Sequence, residues 1–153
     1  MANLDFLFQW TENHKGLEQT EEPFVFADIC GGPGGFSEYF LWRMQQSPPQ
    51  NTGAPEEKQS AIQLDAVGFG ISLRGTDSCD WKVDVRETES GPTGRVAFHV
   101  CDGADGTGDL YKLVNIHAFK NAVQQKFPTG AHLVVADGGF PDARDRHNQV
   151  WLP

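Results

Sequence analysis

The run Ala27-Asp28-Ile29-Cys30-Gly31-Gly32-Pro33-Gly34-Gly35-Phe36-Ser37-Glu38-Tyr39 reads as a strand that breaks into a glycine loop and re-emerges as a helix. Phe24 to Cys30 is apolar and partly β-branched or aromatic, as a buried parallel strand should be, and the loop follows at once. Four glycines and a proline in five positions favour a backbone that approaches a ligand closely over an ordinary strand-to-helix turn. The spacing is neither G-x-G-x-x-G followed by a distant acidic residue nor G-x-x-x-x-G-K-[ST], so a pyrophosphate or a triphosphate is not the natural occupant. Asp28, at the carboxyl end of the strand, can receive a cationic group while a nucleoside lies across the strand tip. S-adenosyl-L-methionine, with an amino-acid end and a sulfonium, suits both features.

Working outward, Phe36, Tyr39, Phe40 and Met44 recur at helical spacing, which predicts a helix over Ser37 to Gln46 that Pro48 and Pro49 end. A polar insertion near 47–63 follows, with little to bury. Ala66 to Leu73 alternates into a second strand, Arg95 to Cys101 is a third, and His132 to Ala136 is a fourth, reached through a helix over Asn115 to Phe127. Upstream, Asn3 to Trp10 reads as the end of a helix and Thr11 to Glu22 as a surface loop. Thr76 to Gly94 is charged and turn-rich, and Phe140 to Pro153 is a polar, irregular tail anchored by Trp151. Strands alternating with helices predict an α/β fold with a mostly parallel sheet, of Rossmann-like type.

At 153 residues with 39% hydrophobic and 11% aromatic content, the chain has room for one domain with a real core. It shows no apolar run long enough to cross a bilayer and no signal peptide, so an intracellular protein that stays off membranes is expected. Cys30, Cys79 and Cys101 match neither a disulfide framework nor a zinc site and are expected to be buried thiols. A net charge of −9 is awkward for nucleic-acid binding, which leans on Lys and Arg; Arg144 with Arg146, and Lys120 with Lys126, are the local basic clusters. The loop Asp102-Gly103-Ala104-Asp105-Gly106-Thr107-Gly108-Asp109 lacks the ligand spacing of an EF-hand, and no metal is expected. It is either a carboxylate-bearing cofactor loop or a solvated turn. Asp137, before Gly138 and Gly139, is likewise either catalytic or a turn former.

Phe26 to Tyr39, Leu41-Trp42-Arg43, Gly68-Phe69-Gly70, Gly108-Asp109 and Val135-Ala136-Asp137-Gly138-Gly139-Phe140, in that order, resemble the FtsJ-type cap-specific mRNA 2′-O-ribose methyltransferases. The likeness is greatest to the eukaryotic type that acts on the first transcribed nucleotide. It runs from Met1 to about Gln149; Gly31 departs from it, standing where the family has alanine. The resemblance implies one partial methyltransferase domain over 1–153, with an incomplete sheet, that transfers methyl from S-adenosyl-L-methionine to a ribose 2′-hydroxyl beside a cap. Carried over by position, Cys30, Gly31, Gly32, Pro33, Gly34, Gly35 and Phe36 line the cofactor, with Asp109 and Leu110 at its adenosine end. Asp137 takes the aspartate's place in the family's Lys-Asp-Lys-Glu set, and Asp5, His147, Asn148 and Gln149 fall where the family contacts capped RNA.

The partners implied are the 5′ end of capped mRNA and the transcription or capping machinery, and the location implied is the nucleus. The two lysines and the glutamate have no counterpart within these 153 residues; Lys15, Lys112, Lys120 and Lys126 occupy none of their positions. An inactive fragment is therefore expected. The alternatives are a noncatalytic S-adenosylmethionine- or RNA-binding scaffold, or an FtsJ-type methyltransferase of another RNA position.

Overall fold

The computed structural model describes residues 1–15, 22–45, 64–75, 80–83 and 96–138. Its elements in chain order are α1 (Ala2–Phe8), α2 (Trp10–Lys15), β1 (Phe24–Ile29), α3 (Gly35–Gln45), β2 (Ala66–Ile71), β3 (Val96–Val100), α4 (Leu113–Lys126) and β4 (Leu133–Ala136). The four strands form one parallel sheet in the order β3-β2-β1-β4. The expected α/β architecture is present, as an incomplete Rossmann-like sheet.

The register follows from how each strand divides its side chains. Along β1, Phe24 and Phe26 point to one face and pack with Phe40, Leu41 and Met44 of α3, while Val25 and Ala27 point to the other, with Phe119 and Val123 of α4. A strand covered on both faces has no use for polar residues, which is why β1 and β2 read as apolar runs. Gly68 of β2 fits between rings: a Cβ there would stand 2.6 Å from Phe98 and closer still to Phe26. The β1–β4 pair is clamped at its start by His132, whose backbone N–H donates to the Val25 carbonyl at 2.8 Å. Its Nδ1 accepts the Val25 N–H at 2.9 Å.

The observed limits refine the expected ones. Helix α3 begins at Gly35, two residues before the expected Ser37, because the Glu38 N–H closes the first helical turn on the Gly34 carbonyl at 2.8 Å. The stretch expected as a loop from Thr11 begins instead as helix: α2 carries Thr11, Glu12, Asn13 and His14. The tertiary context overrides a weak local pattern there, since the Asp5 carboxylate caps the new helix at Thr11. Cys30 and Cys101 are thiols, but half-buried rather than buried. The insertion at 47–63, Cys79, most of 76–94 and the tail from Gly139 onward lie outside the described residues. Among the described residues no helix is long and apolar enough to cross a membrane.

Replacing Gly68 with alanine inserts a methyl between the buried Phe26 ring and the half-buried Phe98 ring, and overpacking of this kind costs about 1–3 kcal/mol. The expected outcome is a lower urea midpoint with an unchanged slope; an unaltered midpoint would show that the rings are not in close contact with the strand.

Candidate functional site

In a parallel sheet the loops that follow the strands share one edge, and here they carry nearly every described residue singled out by sequence. Cys30 to Gly34 leaves β1, Ser72 to Arg74 leaves β2, Cys101 to Asp109 leaves β3, and Asp137 leaves β4. The Asp137 N–H donates to the Ile29 carbonyl at 3.1 Å, which brings the ends of β1 and β4 together; Gly138 lies against the Cys30 side chain.

Asp28 is the centre of this edge. Its side chain has no solvent exposure. The Ser37 hydroxyl donates to Oδ2 at 2.7 Å, whereas Oδ1 has no hydrogen-bond partner among the described residues. Oδ1 occupies the space that a Cβ on residue 31 would fill, so an alanine at position 31 would have to turn the carboxylate away from Ser37. Burial pushes the Asp28 carboxyl above its ordinary range, the Ser37 hydroxyl and backbone oppose that, and the Asp137 charge adds to it. A buried carboxylate with one oxygen unpartnered is incomplete without a donor.

The glycine loop is also braced from outside. The Lys82 N–H donates to the Pro33 carbonyl at 2.9 Å, and Val83 and Trp81 close on Gly34, whose φ of 118° excludes side chains in any case. Trp81 extends beneath Gly70 and packs on Phe98 at a centroid distance of 5.1 Å. Sequence reasoning placed Trp81 in a featureless charged stretch; two glycines that make room for its ring were the available signal.

The loop from Asp102 to Asp109 folds around one side chain, Asn115 of α4, which is fully buried. Its Oδ1 accepts the N–H groups of Ala104 and Asp105 at 2.8 and 3.3 Å. Its Nδ2 donates to Asp105 Oδ1 and to the Asp109 carbonyl, each at 2.9 Å. Asp105 accepts further bonds from Thr107 and from Lys112 Nζ at 2.7 Å, and these hold its carboxyl far below the usual range. Gly108, at φ 64°, lies so close to the Ser72 carbonyl that a Cβ would overlap it. Asp109 Oδ1 accepts the Tyr111 N–H at 2.9 Å, and its other oxygen accepts no hydrogen bond among the described residues. Leu110 packs against the α4-side core. Among the described residues no His, Cys, Asp or Glu group gathers in a metal-binding set.

Asp137 is exposed. Asp5 is not: it is 4% exposed, and its carboxylate accepts the Thr11 N–H at 3.0 Å, the Thr11 hydroxyl at 2.7 Å and the Tyr39 hydroxyl at 2.9 Å. Burial raises the Asp5 carboxyl, but these bonds and Arg43 outweigh it and leave it lowered. It ties α1 and α2 to α3. His147, Asn148 and Gln149 lie outside the described residues. A separate cavity of about 270 Å³, lined by Trp10, Asn13, His14, Phe24, His132 and Leu133, opens at the opposite, amino-terminal ends of β1 and β4.

A parallel sheet with a glycine loop after β1 and acidic residues at the strand tips defines an α/β domain of Rossmann-like type. The FtsJ-like methyltransferase family model matches residues 7–149, and the chain belongs to that family. It is 34% identical over 150 residues to the cap-specific mRNA (nucleoside-2′-O-)-methyltransferase 1 of Mus musculus, and 34% identical over 149 residues to that of Homo sapiens. Each match covers 92% of this chain and 15% of the relative. The Trypanosoma brucei brucei enzyme of the same name is 34% identical over 131 residues, 86% of this chain and 28% of the relative. The chain thus spans a minor part of the length of these relatives.

Because the Asp28 carboxyl is raised in the fold, the folded state holds its proton more tightly than the unfolded chain. Its stabilising effect is therefore complete below the ordinary aspartate range near 3.8 and is lost as pH rises through the raised value. Asp28→Asn is expected to raise the urea midpoint at pH 7, with the gain shrinking as the pH is lowered through that window. A variant less stable than wild type at pH 7 would contradict the assignment.

Proposed function

We propose that the protein bearing this chain methylates the ribose 2′-hydroxyl of the first transcribed nucleotide of capped mRNA, using S-adenosyl-L-methionine. The observation that supports the cofactor reading is the unpartnered Oδ1 of the buried Asp28, at the mouth of a glycine loop. The cofactor supplies an electrophilic methyl on a sulfonium. Asp28 offers its amino-acid end a carboxylate oxygen, Oδ1, that has no donor to lose among the described residues, so the cationic group gains an ion pair whose desolvation the fold has already imposed. Cys30 to Phe36 provide a wall with few side chains, and Asp109 with Leu110 provides a hydrogen-bond acceptor and an apolar contact for the adenosine end.

A ribose hydroxyl is a weak nucleophile, and its oxygen must be aimed at the methyl while its proton is taken up. Asp137, exposed beside the end of β1, is the group in this chain suited to orienting a proton acceptor there, as the aspartate of the family's Lys-Asp-Lys-Glu set. Lys112 is engaged with Asp105 and Lys126 lies 3.0 Å from His99, so neither is offered as the proton acceptor. The chain's acidity places most phosphate contacts on other parts of the protein. Action on nascent transcripts places it in the nucleus, with the transcription or capping machinery.

Calorimetry on the 153-residue chain is expected to show S-adenosyl-L-methionine binding that strengthens as pH rises through the raised Asp28 range. Asp28→Asn should weaken it by about tenfold or more, as loss of one partner of a buried charge pair does. No binding by a chain whose far-UV spectrum shows it folded would refute the cofactor assignment. In the full-length protein, Asp137→Ala should lower methyl transfer to capped RNA by about 10²-fold or more while sparing cofactor affinity; a variant that retains transfer would remove Asp137 from the mechanism.

A further inference from the structure

We infer that Asn115 is a positioning residue for the cofactor, acting by holding Asp109 and Leu110 in place. The inference rests on the cofactor reading above and adds a residue to it from a different part of the chain.

Asparagine is a poor choice near a helix start unless it caps the helix, and burying its amide without partners is costly. Asn115 sits inside α4 at zero exposure and directs its bonds out of the helix into the preceding loop. Two N–H groups meet its oxygen, and oxygens of Asp105 and Asp109 meet its nitrogen, so the network itself fixes which way the amide faces. Gly103 is confined by the same side chain, since a Cβ there would stand 2.5 Å from Asn115 Oδ1. The loop therefore closes around an amide.

The consequence falls on Asp109. Its N–H donates to Thr107 Oγ1 at 3.2 Å, its carbonyl is held by Asn115 Nδ2, and its Oδ1 is taken by Tyr111. Residue 109 is thus fixed at its nitrogen, its carbonyl and one carboxylate oxygen, which leaves Oδ2 as its acceptor without a hydrogen-bond partner among the described residues. Preorganising an acceptor in this way lowers the ordering cost of binding. Without the Asn115 amide, the N–H groups of Ala104 and Asp105 lose their partner together, and the Asp109 carbonyl keeps only the Lys112 N–H at 3.2 Å.

The test compares Asn115→Ala, Asn115→Asp and Phe119→Leu in the full chain, by calorimetry with S-adenosyl-L-methionine and by amide hydrogen exchange. Asn115→Ala should weaken binding about tenfold and speed exchange at Ala104 and Asp105. Phe119→Leu, on the same helix but facing the core, should lower the urea midpoint and leave affinity within about twofold. In Asn115→Asp the new carboxylate faces Asp105 and the Asp109 carbonyl, with Lys112 as the nearest cation. Its affinity relative to wild type should recover as the pH is lowered from 7.5 to 5.5, because the protonated carboxyl regains one donor.

Wild-type binding that Asn115→Ala leaves unchanged would overturn the inference and spare the cofactor reading. Wild-type chain that binds no cofactor would overturn both. Equal loss of affinity in Asn115→Ala and Phe119→Leu would reduce Asn115 to a stability residue and overturn the inference.

Discussion

The candidate site depends on a carboxylate in the wrong solvent. Asp28 ends a strand buried on both faces, and it stays within the protein because Ser37, two residues into α3, meets one of its oxygens. The other oxygen fills the space over Gly31 and has no hydrogen-bond partner among the described residues. That single placement joins the end of β1, the glycine loop and the start of α3, and it requires that residue 31 have no side chain. The energetic cost is local and visible as a carboxyl driven above its ordinary range. Sites that hold a charge ready for a ligand commonly give up stability to do so.

A second loop is held from within by the same kind of device. The glycine-aspartate segment after β3 has little apolar content, yet Asn115 supplies bonds to both of its ends and Gly108 seats it against the Ser72 carbonyl. The two loops sit along one sheet edge with the end of β2 between them, each organised by a buried polar side chain. Beneath them the aromatic layer is conventional: Phe24, Phe26 and Phe40 pack as a cluster with centroid separations of 5.2 to 6.1 Å. Rigid strands and loops fixed by hydrogen bonds give a site with few moving parts.

The strands and the two long helices were legible because their signals are long and periodic, and burial on both faces leaves β1 and β2 no other reading. The glycine loop was legible because composition alone marks it. Helix α2 was not, since six residues with one large apolar side chain carry no period; Asp5 makes the helix by capping it from outside. Asp5 itself was assigned to RNA from its place in a motif, whereas its carboxylate is consumed by Thr11 and Tyr39. Asn115 and Trp81 escaped notice for a common reason. A residue whose partners lie in a different segment leaves no local pattern, and only the glycines that accommodate it, Gly103 for one and Gly34 and Gly70 for the other, record its presence.

The central claim is that the Asp28 carboxyl is raised by burial and completed by a cationic ligand, and carboxyl-carbon NMR of the labelled chain measures both at once. Titrated alone, Asp28 should ionise above the ordinary aspartate range; with saturating S-adenosyl-L-methionine its midpoint should fall, because the bound cation favours the carboxylate. An ordinary midpoint in the free chain, or one that does not move when the cofactor binds, would contradict the account.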